Sequence, residues 1–162
     1  MFVKTEIRES GVYGKALFAA EAIGKGTIVC SFTLGSGVVT EDEYVAAVAD
    51  NRQPVTRTGT RYVGRYFTFG NEAAPYNFIN HSFKPTLLCH CGVVLALRDL
   101  APGDELTIDY RTLIDTTDVG LYNDAVTGRE IRGHSAKETL LKTARELIAL
   151  VESVEGWDGR GR

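Results

Sequence analysis

The sequence has few residues of the types on which disulfide frameworks and membrane spans depend. It contains three cysteines among 162 residues, and an odd, low count is typical of a protein kept in a reducing compartment. The longest strongly apolar run covers residues 93–97, whereas a membrane helix needs about 20 apolar residues. Residues 1–6 include Lys4 and Glu6 where a signal peptide needs an apolar run. We therefore expect a cytoplasmic protein that does not bind membranes.

An excess of basic residues is also missing. The chain has 18 Lys and Arg against 21 Asp and Glu, a net charge of −3. Binding to a nucleic-acid backbone needs a basic surface, so no direct nucleic-acid contact is expected. A basic peptide fits this charge better. The 44% of hydrophobic and 24% of charged residues are typical of a globular domain.

Several catalytic signatures are absent as well. The sequence contains no phosphate-binding loop, no Gly-x-Ser-x-Gly elbow and no His-Glu-x-x-His zinc helix. The run Cys89-His90-Cys91 has the residue types of a zinc site. In a strand, however, the two cysteines would face one side and His90 the other, with no fourth ligand nearby. We interpret the cysteines as small core residues and predict no metal site.

Short runs of β-branched and aromatic residues, separated by glycines, predict a mostly β protein with some helix. The candidate strands are residues 2–8, 27–33, 61–69, 86–91, 93–98 and 105–110.

Two capping boxes predict helices, one from Thr40 to Asp50 and one from Ser135 to Val154. The second helix has one apolar stripe at helical spacing, for which burial is expected: Leu140, Leu141, Ala144, Leu147, Ile148 and Val151. Residues 158–162 are interpreted as a frayed end.

Three segments contain residues that suggest chemistry. Residues 11–19 read Gly-Val-Tyr-Gly-Lys-Ala-Leu-Phe-Ala, where small residues allow close approach of a ligand or another strand. Residues 76–85 read Tyr-Asn-Phe-Ile-Asn-His-Ser-Phe-Lys-Pro and hold a polar Asn-His-Ser cluster. Residues 96–110 begin with Ala-Leu-Arg-Asp-Leu, pass through a Pro-Gly turn and end on Asp109-Tyr110.

These segments, in this order, resemble the SET-domain protein-lysine methyltransferases over about residues 1–113. The resemblance implies a β-clip of small sheets with a pseudoknot and a C-terminal helix. It further implies S-adenosyl-L-methionine as cofactor and a lysine-bearing protein or peptide as substrate. We divide the chain into a catalytic domain at 1–113 and, at 114–162, a connection and helix that pack on that domain or form a homodimer.

The resemblance also assigns site residues. Tyr110 matches the catalytic tyrosine of the family, while Asn80 and His81 match the residues that hold the cofactor. Lys15, Ala16 and Leu17 match the turn that wraps the adenosine through backbone groups. The sequence departs from the family pattern at Ala16, Asn77, Phe83 and Thr86, where the usual residues are Gly, Arg, Cys and Asn.

Four further residues are candidates for the substrate channel. Ile108, two residues before Tyr110, lies where the family uses a phenol to limit methylation, so an isoleucine there predicts di- or trimethylation. Cys89 lies near a second such position. Tyr62 and Tyr66, taken as alternating on one strand, are the other candidates, with core packing as the alternative.

No Cys-x-Cys cluster follows Tyr110, so the zinc-bound cap of many relatives is absent. The material left to close the channel is the connection at 111–133 and the helix after it. Two alternatives to the enzyme remain: a cofactor- or peptide-binding module with weak or no turnover, and a β-rich interaction domain that uses the C-terminal helix. A eukaryotic or viral source would favour a nuclear or chromatin-associated location over the cytoplasm.

Overall fold

The structure is a computed structural model that describes residues 1–12, 14–32, 37–50, 59–69, 74–114 and 122–160. Its strands, numbered in chain order, are β1 (Thr5–Ser10), β2 (Gly14–Ala19), β3 (Ile28–Ser31), β4 (Val38–Thr40), β5 (Gly59–Val63), β6 (Tyr66–Phe69), β7 (Asn80–His81), β8 (Leu87–His90), β9 (Val93–Ala96) and β10 (Thr107–Ile108). Its helices are α1 (Glu41–Ala49) and α2 (Ala136–Glu152), with 3-10 helices at Pro75–Phe78 and Tyr110–Thr112.

The strands form four small sheets rather than one large sheet. Strands β1 and β2 make an antiparallel pair, β3-β9-β8 and β4-β6-β5 make three-stranded antiparallel sheets, and β7 pairs with β10 in parallel. The main core lies between these sheets and includes Leu17, Val29, Leu87, Leu106 and Ile108. The expected β-rich SET-like fold with a C-terminal helix is confirmed.

The parallel pair brings two of the three sequence segments together. Thr107 pairs with Asn80 and Ile108 with His81. The N–H of Ser82 donates to the carbonyl of Ile108 over 3.0 Å. Leu106 in turn donates its N–H to the carbonyl of Leu17, at 2.8 Å, which joins the first segment to the same place.

Two strand predictions were wrong in ways that affect the site. The predicted strand at 61–69 is two strands, β5 and β6, joined at Gly64, whose φ of 58° is the left-handed conformation that a tight turn requires. The predicted strand at 105–110 is shorter, since β10 ends at Ile108 and Tyr110 begins a 3-10 helix. Residue 33, the end of the predicted strand at 27–33, lies outside the described residues.

Both predicted helices begin where their capping boxes place them. The hydroxyl of Thr40 accepts from the N–H of Glu43, while the Glu43 carboxylate accepts from the Thr40 backbone. Ser135 and Glu138 make the same reciprocal pair at the start of α2. The first helix ends at Ala49 and the second at Glu152, close to the predicted ends.

The buried face of α2 differs from the predicted stripe. Leu140, Leu141 and Ile148 are exposed, at 41%, 45% and 58%. The helix instead buries Thr143 and Leu150. Leu150 packs with a second core that includes Leu88 of β8 and Leu95 of β9, partly covered by Leu147. The helix therefore packs on the outer face of the β3-β9-β8 sheet.

The segment after α2 is held by contacts and is not a frayed end. The N–H of Ile28 donates to the carbonyl of Gly159 over 2.8 Å, and the indole N–H of Trp157 donates to the carbonyl of Gly26. A methyl group built on Gly26 would lie 2.9 Å from the Trp157 ring, so this approach requires glycine. Residues 161–162 of the predicted frayed end lie outside the described part of the chain.

Neither helix of the described part of the chain is long and apolar enough to cross a membrane.

Candidate active site

Tyr110 is held at its hydroxyl and at its backbone N–H by the residues on either side of Asn80. Its hydroxyl donates to the carbonyl oxygen of Ile79 over 2.7 Å. Its backbone N–H donates to Nδ1 of His81 over 3.1 Å. His81 belongs to the β7–β10 pair and Ile79 directly precedes β7, so the ring has little freedom to turn away.

A narrow cavity of about 110 Å³ opens beside this phenol. Its walls are mostly aromatic and aliphatic, with a few hydroxyl and amide groups: Phe32, Gly59, Thr60, Thr68, Tyr76, Asn77, Ile79, Ile108, Tyr110, Leu113, Ile114 and Tyr122. The hydroxyls of Thr60 and Thr68 lie 3.1 Å apart, across β5 and β6. We name this cavity the Tyr110 pocket. Narrow apolar walls of this kind suit an unbranched alkyl chain better than a charged group.

His81 is buried, at 3% exposure, and its ring orders the site. Burial lowers the pKa of His81, while the carboxylates of Asp109 and Asp124 oppose that change and Arg111 adds to it. An Nδ1 atom that accepts from Tyr110 must be unprotonated, so the neutral ring carries its proton on Nε2.

A group of charges lies on the other side of Tyr110. Asp109 is buried, and its carboxylate accepts two bonds from the Arg111 guanidinium, at 2.8 and 2.7 Å. Lys142 of α2 places Nζ 3.8 Å from the same carboxylate. Burial alone would raise the pKa of Asp109, but these cations lower it overall. Residues from α2 therefore reach the segment that carries Tyr110.

The predicted cofactor residues Lys15, Ala16 and Leu17 lie together with Asn80. The side-chain amide of Asn80 donates to the carbonyl of Lys15 at 3.3 Å and to the Glu105 carboxylate at 3.2 Å. Lys15 is exposed, whereas Ala16 and Leu17 are fully buried. The first and second sequence segments thus meet through one amide group.

The structure does not bring three of the predicted channel residues to the Tyr110 pocket. Cys89 lies inside the core, where burial raises the pKa of its thiol to about 12. Tyr62 lies with Cys89 beside α2, along a different and much smaller cavity. Tyr66 stands on a separate strand and is exposed. Ile108 does line the pocket together with Tyr110, although Tyr110 is not part of the strand.

The run Cys89-His90-Cys91 does not lie in one strand, contrary to the sequence prediction. Strand β8 ends at His90, and Cys91 lies in the following turn with a φ of 47°. Nδ1 of His90 lies 2.9 Å from the hydroxyl of Thr143 on α2. Within the described ranges, no group of three or more His, Cys, Asp or Glu residues is arranged to hold a metal ion.

Sequence reasoning missed several residues of the pocket. Phe32, Thr60 and Thr68 come from β-rich segments whose pairing cannot be read from local pattern. Tyr76 belongs to the aromatic run before Asn80, which was the one available signal. Tyr122 lies in the connection at 111–133, of which residues 115–121 lie outside the described part, and no periodicity marks it.

Comparison with known families identifies the fold. A family model for the SET domain matches residues 14–111, which is more than half of the chain. The chain therefore belongs to the SET-domain family, whose members are typically methyltransferases. A search of curated proteins found no match.

Proposed function

We propose that this protein is an S-adenosyl-L-methionine-dependent protein-lysine N-methyltransferase that acts on a lysine in a protein or peptide. The observation that carries the proposal is Tyr110, which lines a narrow pocket and whose hydroxyl is fixed by the Ile79 carbonyl. Ile79 also lines that pocket and directly precedes the segment Asn80-His81, which resembles the family's cofactor-binding motif.

The residues around Lys15 and Asn80 fit the expected cofactor. A methyl group built on Gly14 would contact nothing within 4 Å, so there is open space beside the exposed start of β2. The Glu105 carboxylate, bonded to Asn80, adds negative charge close by. Backbone carbonyls, an amide and a carboxylate suit a cationic sulfonium compound. Lys15, Ala16, Leu17, Asn80 and His81 would hold it.

When bound, S-adenosyl-L-methionine supplies a methyl group on a positively charged sulfur. The protein must then hold the amine of the substrate's lysine uncharged and in the correct orientation. The apolar walls of the Tyr110 pocket disfavour an ammonium ion, which lowers the pKa of an inserted lysine. A lysine side chain that fills the pocket would displace water from it.

Tyr110 orients the amine in this proposal. Its hydroxyl proton is donated to the Ile79 carbonyl, and a phenol oxygen that donates can also accept a hydrogen bond, here from an amine N–H. That bond would fix the direction of the amine's own lone pair. Since the phenol is already held, little reorganisation is needed when substrate enters.

Two of the departures from the family pattern, Ala16 and Thr86, do not favour the alternative of a binding module without turnover. The methyl group of Ala16 is fully buried and therefore does not project into the open space beside β2. Thr86 has a structural role, since its hydroxyl accepts from the N–H of Thr107 at 2.8 Å. Asn77 does line the Tyr110 pocket, so turnover must be measured to decide between the enzyme and the module.

The decisive test combines binding with turnover. Calorimetry measures the affinity for S-adenosyl-L-methionine, and an array of lysine-containing peptides with methyl-labelled cofactor measures transfer. The proposal predicts saturable binding and labelled lysine on at least a subset of peptides. Binding without transfer on any peptide or protein fraction would support the module instead. No binding would refute both.

A further inference from the structure

Residues 122–131, which follow the region matched by the SET model, form a small hairpin. Asn123 and Glu130 make an antiparallel bridge, and the N–H of Ile131 donates to the carbonyl of Tyr122 over 2.9 Å. At the turn, the buried carboxylate of Asp124 accepts from the N–H of Thr127. The hairpin is therefore built by its own hydrogen bonds, and other contacts hold it to the rest of the protein.

The hairpin contacts the candidate site at two points. Tyr122, at its start, lines the Tyr110 pocket. Arg129, near its end, places its guanidinium 4.5 Å from the centre of the Phe83 ring. Between these points, the Asp124 carboxylate partly offsets the lowering of the His81 pKa by burial. One short segment thus reaches both the pocket wall and the Asn80-His81 segment.

Phe83 is the centre of a cluster that links this hairpin to Tyr110. The Arg111 guanidinium lies 5.0 Å from the same ring, and His81 meets it edge to face with centroids 4.5 Å apart. His81 accepts the backbone N–H of Tyr110. We name Phe83, His81, Arg111 and Arg129 the Phe83 cluster.

The identity of residue 83 matters because of its aromatic face. A guanidinium over a ring is attracted by the ring's negative face, and arginine is the cation found most often in this arrangement. The cysteine that is usual here in the SET pattern has no such face. Phe83, which looked like a local departure in the sequence, therefore has a specific partner in Arg129.

We propose that the Phe83 cluster fastens the 122–131 hairpin over the Tyr110 pocket, which makes Phe83 and Arg129 positioning residues. Tyr122 then forms one wall of the lysine channel without any metal. This inference rests on the proposed function for its consequence in catalysis. The fastening itself depends only on the contacts within the described residues.

The hairpin offers a matched control for this idea. Arg129 lies in the hairpin and Arg132 directly follows it; both are exposed, but Arg132 pairs with Glu130 at 2.9 Å, outside the Phe83 cluster. Arg129→Ala should accelerate amide hydrogen exchange in residues 122–131 about fivefold, whereas Arg132→Ala should leave exchange unchanged. Phe83→Leu should match Arg129→Ala, and Phe83→Tyr should behave like the wild type.

A double variant separates fastening from general loss of stability. If Arg129 and Phe83 act on the hairpin through each other, Arg129→Ala with Phe83→Leu should accelerate exchange no more than either change alone. Once a substrate peptide has been identified, Arg129→Ala and Phe83→Leu should each raise the KM for that peptide about fivefold, while the KM for the cofactor stays constant.

Either of two results would overturn the inference. One is unchanged exchange in residues 122–131 for Arg129→Ala, an exposed change that does not endanger the fold. The other is an additive effect in the double variant. If the wild type transfers no methyl group to any substrate, the proposed function fails, but the exchange measurements still decide whether the cluster fastens the hairpin.

Discussion

The part of the chain matched by the SET model and the part after it contribute to the Tyr110 pocket by different kinds of contact. Within residues 14–111, β7 pairs with β10 through the main chain, and the Tyr110 phenol and the His81 ring each bond to a main-chain group. After residue 121, the contacts run between side chains: Arg129 on Phe83, and Lys142 beside Asp109. Main-chain pairing tolerates many substitutions, whereas contacts between side chains depend on the identity of both partners. Substitutions in the second region should therefore change the pocket without destroying the fold.

The largest expected effect tests the first region at its centre. Tyr110→Phe removes the hydroxyl that donates to Ile79 but keeps the ring. We expect methyl transfer to fall about 10²-fold or more, which is about 3 kcal/mol of transition-state stabilisation. Cofactor affinity and Tm should change little. Tyr66→Phe, on an exposed tyrosine, is the control, and equal activity in both variants would contradict the role of Tyr110.

Within the second region, helix α2 carries one buried and one exposed apolar residue whose substitutions should differ in effect. Leu150 is buried against Leu88 and Leu95, while Ile148 is exposed on the same helix. Leu150→Ala should cost about 2–3 kcal/mol of unfolding free energy, within the range for buried leucines. Ile148→Ala should stay within about 0.5 kcal/mol. Denaturant unfolding measures both, and a large loss for Ile148→Ala would point to a second copy of the chain covering that face.

A smaller effect is expected from pH, because His81 is buried beside Tyr110 at the centre of the site. Burial lowers the pKa of His81 in the folded protein below its usual 6.5. Below that pH the unfolded chain binds a proton that the folded chain does not, so stability falls as pH drops through 6.5 toward the folded pKa. Below the folded pKa this loss stops growing.

Thermal unfolding between pH 8 and pH 5 measures this dependence. Burial also lowers the pKa of His90 and His134. The contribution of His81 to the pH dependence of stability is therefore the difference between the wild type and His81→Gln, and His90→Gln is the matched comparison. A wild-type protein that becomes more stable on acidification would contradict the prediction.

The smallest change concerns the product and not the rate. Ile108 lines the Tyr110 pocket and has no hydroxyl to hold a water molecule. A partly methylated amine should therefore be able to rotate and react again, which predicts di- or trimethyllysine. Ile108→Tyr should shift the product toward fewer methyl groups at unchanged cofactor affinity. Mass spectrometry at long reaction times reads this directly, and a wild-type product that stops at one methyl group would refute the argument.

The parts of the fold that depend on local interactions could be predicted from sequence. Ser135 and Glu138 are three residues apart, so their capping box marked the start of α2 correctly. The buried face of α2 could not be predicted, because helical spacing alone allows more than one face. Thr143 is buried since its hydroxyl meets His90 on β8, and that neighbour is set by the tertiary fold.

In the candidate site too, the residues in local motifs could be predicted, whereas those placed by the tertiary fold could not. Asn80, His81 and Tyr110 stand in contiguous motifs, and the structure joins them by hydrogen bonds. Tyr62 and Tyr66 were wrongly taken as one face of one strand, because a single glycine at residue 64 inside a β-rich run gives little sign of a turn. Tyr122 could not be found at all, since its place in the pocket follows from the path of the chain.

Strand β3 also has a mechanical consequence. The N–H of Phe2 donates to the carbonyl of Val29, and the next bond along the strand runs from Ile28 to Gly159. A pulling force applied between residues 2 and 160 would therefore be borne by the start of β3 and by the Trp157 contact with Gly26. None of the residues that make these bonds lines the Tyr110 pocket. If the protein were tethered or stretched by these two segments, the force would reach the pocket only through β3 and Phe32, which follows it.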